Sequence, residues 1–123
     1  MWSTAVPDEL DEVPPLRHDV LAYLAEHAAE ADLDAIGLLF SELVSNAVRH
    51  ADGPRTAHVR VEPDVVRIEV IDASPVEPVV LPAEPTRVGG NGMRIVAAMS
   101  SSWGVDHLPA GKVVWFEVPA RAS

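Results

Sequence analysis

Ser41-Glu42-Leu43-Val44-Ser45-Asn46-Ala47-Val48-Arg49-His50-Ala51 carries the clearest periodic pattern in the chain. At about 100° per residue, Ile36, Phe40, Leu43, Val44 and Ala47 form one apolar stripe. Glu42, Ser45, Asn46 and Arg49 fall on the opposite side. The pattern predicts a helix from about Leu33 to His50. Asp32 and Asp34 supply the negative charge favoured at a helix start, and Arg49 and His50 the positive charge favoured at its end. Ala51-Asp52-Gly53-Pro54 then stops it. Glu42 and Asn46 are one turn apart, so their side chains meet on one face. A carboxylate beside a carboxamide offers oxygen ligands to a hydrated Mg²⁺ or a water. The carboxylate can also take a proton from a hydroxyl. An ordinary solvated helix face has the same pattern, and the helix alone does not separate these readings.

Working outward, Leu16, Val20, Leu21, Leu24 and Ala28 recur at three- and four-residue steps and predict an earlier helix, ending near Ala31. Residues 1–15 read as irregular and close with Pro14-Pro15, with an edge strand as the alternative for part of them. Downstream, Thr56 to Glu62 and Val65 to Asp72 alternate apolar and polar residues about a Pro63-Asp64 turn, which predicts a hairpin. Ala73 to Gly89 is a proline-rich loop, long enough to serve as a lid or binding loop. Gly89-Gly90-Asn91-Gly92 opens a third helix running to about Met99. Strands near Trp103–His107 and Lys112–Val118 follow, joined at Pro109-Ala110-Gly111. Trp103 and Trp115 suggest that these last strands are well buried. The expected fold class is α+β: a two-layer sandwich, its mixed or antiparallel sheet covered on one face by about three helices.

The chain has 123 residues, 48% of them hydrophobic, which suits one domain with a normal core. We expect an irregular segment over 1–13 and the domain over 14–120. The formal net charge of -10 argues against a direct nucleic-acid partner, since duplex binders carry basic patches that release counterions. The acidic residues crowd the first third of the chain, either as a solubilising surface or as a face that docks a basic partner. With no cysteine, disulfides and thiolate metal sites are excluded. No apolar run approaches the ~20 residues that span a bilayer, and the acidic start does not fit a secretory signal. No membrane role and a cytoplasmic location are the expectations.

Two further features bear on chemistry. Asp72 follows Val66, Ile68 and Val70 at even spacing, which puts it on their presumed buried face. A carboxylate there needs a donor, because burying it without one is costly. A ligand amino group such as that of adenine would serve. Alternatively, the strand has already ended and Asp72 begins the loop. Gly90-Asn91-Gly92 permits close backbone approach at a helix start, where N–H groups and the helix dipole favour phosphate. An ordinary flexible turn looks the same.

The order of these features resembles one family: a helix with Glu and Asn, a strand ending in Asp, a loop, then Gly-x-Gly opening a helix. It is similar to the GHKL, or Bergerat-fold, histidine-kinase-like ATPase domain. Within that family it looks most like the anti-sigma-factor serine kinases and related ATP-binding regulators of actinobacteria. Ser41 to Ala51 resembles the N box, Ile68 to Pro75 the first glycine box, and Gly90 to Val96 the second. Trp103-Gly104-Val105 and Gly111 to Glu117 resemble the closing strands.

The resemblance implies ATP and Mg²⁺ as cofactors, with Asn46 as Mg²⁺ ligand and Glu42 as the base acting on a partner's serine hydroxyl. It implies that Asp72 accepts from the adenine amino group and that Gly90 and Gly92 wrap the phosphates, with Ser74, Asn91 and Met93 beside the nucleotide. Arg49 and His50 would neighbour the phosphates, and Ala73 to Gly89 would be the ATP lid. The implied partners are an anti-anti-sigma-type protein, a sigma factor, or both, with a homodimer as the expected assembly. There are departures: the first glycine box reads Asp72-Ala73-Ser74 rather than Asp-x-Gly, Asn91 replaces a common Arg, and Val113 stands where a supporting Thr is frequent. They imply weak ATP binding. The competing reading is therefore a degenerate, non-catalytic module that binds a regulator through its surface. An autophosphorylating histidine kinase does not fit, because no dimerisation helix pair with an acceptor histidine can be accommodated.

Overall fold

The computed structural model of the chain describes residues 1–50, 53–73 and 92–122. Five strands form one antiparallel sheet: β1 (Trp2–Ala5), β2 (Thr56–Val61), β3 (Val65–Asp72), β4 (Ser102–Leu108) and β5 (Gly111–Pro119), in the spatial order β1-β2-β3-β5-β4. Three helices complete the described elements: α1 (Val13–His27), α2 (Leu33–His50) and α3 (Gly92–Met99). The expected α+β sandwich is present, with every pairing antiparallel.

One face of the sheet makes the core. Ala57 and Val59 of β2, Val66, Ile68 and Val70 of β3, and Val114, Phe116 and Val118 of β5 are all buried, as the period-two alternation requires. Against them lie Ile36, Leu39, Phe40, Leu43, Val44 and Ala47 of α2, which include all five residues of the predicted stripe. Helix α2 also packs on α1 and α3, so it is the central helix of its layer.

The opposite face carries Arg67, whose guanidinium lies 4.1 Å from the centroid of the Trp115 ring. Arg67 donates to Glu69 at 3.0 Å and to Glu117 at 3.1 Å. Partial burial pulls the Arg67 pKa down, but the hydrogen bonds to these two carboxylates outweigh it and hold it above its ordinary value. Trp115 is thus half-buried on the outer face rather than inside the core, while Trp103 packs at the core margin. Gly104 is required beneath Trp115, since a Cβ there would sit 2.7 Å from the ring.

Three sequence expectations change. Residues 2–5 form edge strand β1, with Trp2 opposite Val59 and Ala5 opposite Thr56. A short 3₁₀ turn over Leu10–Glu12 leads into α1, which begins at Val13. Pro14 and Pro15 therefore lie in the first helical turn and do not close an irregular segment. Their missing N–H groups have no intrahelical acceptor to lose there. Finally, α1 ends at His27 rather than near Ala31, because Ala28 leaves helical geometry at φ -148°, ψ 48°.

The ends of α2 are tied by side chains. Asp32 Oδ1 accepts from the Ala35 amide at 3.1 Å, an N-cap of the kind that satisfies an orphan donor. Near the other end, Arg55 Nε donates to the Ala47 carbonyl at 3.1 Å, and a second guanidinium nitrogen donates to Asp8 Oδ1 at 2.8 Å. Arg17 of α1 reaches across to Ser41 Oγ at 3.0 Å and links the two helices.

Candidate functional site

The candidate site begins on the face of α2 turned away from the apolar stripe. Glu42, Ser45 and Asn46 are half-buried there and Arg49 is exposed. Glu42 and Asn46 project from successive turns of one helix, on the same side. Among the described residues, no hydrogen bond or ion pair engages the side chain of either. The set offers a carboxylate, a carboxamide and a hydroxyl from a rigid, capped helix. Hard oxygen ligands of this kind fit a hydrated Mg²⁺ that takes its remaining ligands from water and phosphate.

Two other elements meet this helix. Strand β3 packs against α2 and ends in Asp72; α3 packs against α2 and begins at Gly92. Asp72 does lie on the buried face with Val66, Ile68 and Val70, so the strand continues through it. Met93, at the start of α3, is buried in the core. His50 closes α2. Ser74, Gly90 and Asn91, with nearly all of the proline-rich loop, lie outside the described residues, as does the side chain of His50.

A donor to Asp72 comes from within the chain. Lys112 Nζ lies 2.9 Å from Asp72 Oδ1 in an ion pair whose side chains are 4% and 2% exposed, respectively. The two residues are register partners on β5 and β3. The resemblance put Val113, which cannot donate, where a supporting Thr is frequent; the register brings Lys112 rather than Val113 to Asp72. Val113 pairs with Ile71 and points to the other face, and Lys112 shares the core face with Asp72. Lys112 is the chain's single lysine, and its place in an alternating strand was the available signal. Gly111 holds the two strand ends together. It adopts φ +151°, and a Cβ there would fall 2.0 Å from the Asp72 carbonyl oxygen. Only glycine tolerates that approach.

Arg55 was also missed. Its side chain is 6% exposed and tethers the last turns of α2 to the segment after β1. A lone arginine ahead of a strand carries no local mark of burial, so no sequence signal would have found it.

Among the described residues, no helix is long and apolar enough to cross a membrane. A solved structure described as the RsbU and RsbW domains of Rv1364c from Mycobacterium tuberculosis shares the fold, with a TM-score of 0.60 at 21% sequence identity. The match covers 99% of this chain and 34% of that one, so the chain spans about a third of its length. No curated protein matches the chain. Its sequence matches the family model of the histidine kinase-like ATPase domain over residues 6–118. That match spans most of the chain, so the chain belongs to the histidine kinase-like ATPase domain family.

Proposed function

We propose that the chain is an ATP-binding regulator of the anti-sigma type, a protein serine/threonine kinase that phosphorylates an anti-anti-sigma-type partner and so controls a sigma factor. The observation that carries this reading is the Glu42–Asn46 face of α2, whose oxygen donors stand on one rigid helix. Asn46 would hold Mg²⁺, which neutralises phosphate charge when bound. Glu42 would take the proton from the partner's serine hydroxyl. Phosphoryl transfer asks the protein mainly for positioning and electrostatics, which these two residues are suited to supply. Gly90 and Gly92 would let the backbone approach the phosphates, with Arg49, His50, Ser74, Asn91 and the Met93 backbone as neighbours. Asp72 would accept from the base's amino group. The family assignment supports an ATP site, and the resemblance of the N box supports the anti-sigma type.

A specific observation favours a second reading. Asp72 is already engaged by Lys112 at 2.9 Å, which fits a module that binds nucleotide weakly and acts through its protein surface.

Titration of the purified chain with ATP and Mg²⁺ tests the first reading. Saturable, Mg²⁺-dependent binding is expected, and no binding at millimolar ATP refutes it. Asn46→Ala should weaken the Mg²⁺-dependent affinity by about 10–100-fold, the usual cost of disturbing a metal's surroundings. An unchanged affinity removes Asn46 from the metal site.

A further inference from the structure

The Asp72–Lys112 pair stands at the base end of the proposed site, and its chemistry bears on what that site can recognise. Both side chains are at least nine-tenths buried, and Lys112 Nζ lies within hydrogen-bond distance of Asp72 Oδ1. An ammonium donating to a carboxylate makes a stronger hydrogen bond than any neutral donor. The amino group of a purine base is neutral. It would approach a carboxylate whose charge is already matched by a strand neighbour fixed in register. Gly111 lets the start of β5 lie close against Asp72, since a Cβ there would fall 2.0 Å from the Asp72 carbonyl oxygen.

We propose that Lys112 is the specificity-determining residue of the nucleotide site: its ammonium takes the role of the base's amino group at Asp72, and thereby lowers both the affinity for ATP and the preference for an amino-bearing purine. The inference rests on reading Asp72 as the base-recognition carboxylate. Removing the ammonium takes the cation off Asp72 Oδ1 and opens that oxygen to a base amino group. Lys112→Met keeps the length and apolar stem of the side chain, so it removes the charge with the least change in packing.

Calorimetric titrations at pH 8 with Mg²⁺ compare ATP with purine riboside triphosphate, which lacks the amino group. In the unaltered chain the two should bind within about threefold of each other. A preference for ATP of tenfold or more overturns the inference, and this comparison needs no variant to fold. Lys112→Met should bind ATP at least tenfold more tightly than the unaltered chain and should acquire a tenfold or greater preference for ATP. A folded Lys112→Met chain that binds ATP no more tightly also overturns it, while leaving the nucleotide site itself standing. If neither chain binds either triphosphate at millimolar concentration, the nucleotide reading falls and this inference with it.

Discussion

Glu42 and Asn46 differ in what their removal should do, and the difference separates chemistry from binding. Glu42 stands one turn before Asn46 on the same half-buried face. If Glu42 serves as the base and Asn46 as the metal ligand, Glu42→Gln should retain Mg-ATP affinity. Phosphate transfer to the partner serine should then fall by about 10²–10⁴-fold, the usual range for a general base. Radiolabelled transfer assays beside binding titrations check this, and lost affinity in the Gln variant would show that Glu42 helps hold the nucleotide. These two residues were legible in the sequence because a four-residue spacing on a helix is a local property. Asp72 was legible in part: alternation placed it on the buried face, and its partner was not visible. Lys112 lies 40 positions away along the chain, and no local pattern joins them.

Helix α2 is the element on which the site depends, and each of its ends is held differently. Asp32 caps the start from the adjoining residue, a contact readable from composition alone. Beyond the other end, Arg55 bonds the carbonyl of Ala47, the residue after Asn46, and also joins Asp8. Arg55→Met should cost about 2–3 kcal/mol, since it removes charged hydrogen bonds from a buried position. Urea denaturation measures this, and a loss below about 0.5 kcal/mol would show that the tether contributes little. Strand β1 was equally hard to foresee as an element. Four residues at the start of the chain earn strand structure only by pairing with β2, more than fifty positions on. The hairpin of β2 and β3 was clear, because its turn and both alternating strands are contiguous.

The described residues make a sheet with one apolar face under three helices and one polar face built around Arg67, Glu69, Glu117 and Trp115. The proposed site draws on α2, β3 and α3, so a bound nucleotide would link the helical layer to the sheet. Ligand that binds only the folded state stabilises it by mass action. Mg-ATP at a hundredfold excess over its Kd should add about 2.7 kcal/mol and raise Tm on the order of 10 °C. Chelation with EDTA should remove most of that rise. Differential scanning fluorimetry follows both, and a Tm indifferent to Mg-ATP at that excess argues for a surface-acting module.

By itself the sequence determined the three helices in outline, the hairpin, the antiparallel-compatible strands and the polar Glu42–Asn46 face. Each is written in spacing over a few residues, where backbone periodicity and local charge settle the outcome. The tertiary structure alone shows that Trp2–Ala5 joins the sheet, that Arg55 anchors α2, and that Asp72 meets the Lys112 ammonium. Those outcomes follow from strand register and from burial of charge against distant segments. Such contacts stabilise groups that have no relation along the chain until it has folded.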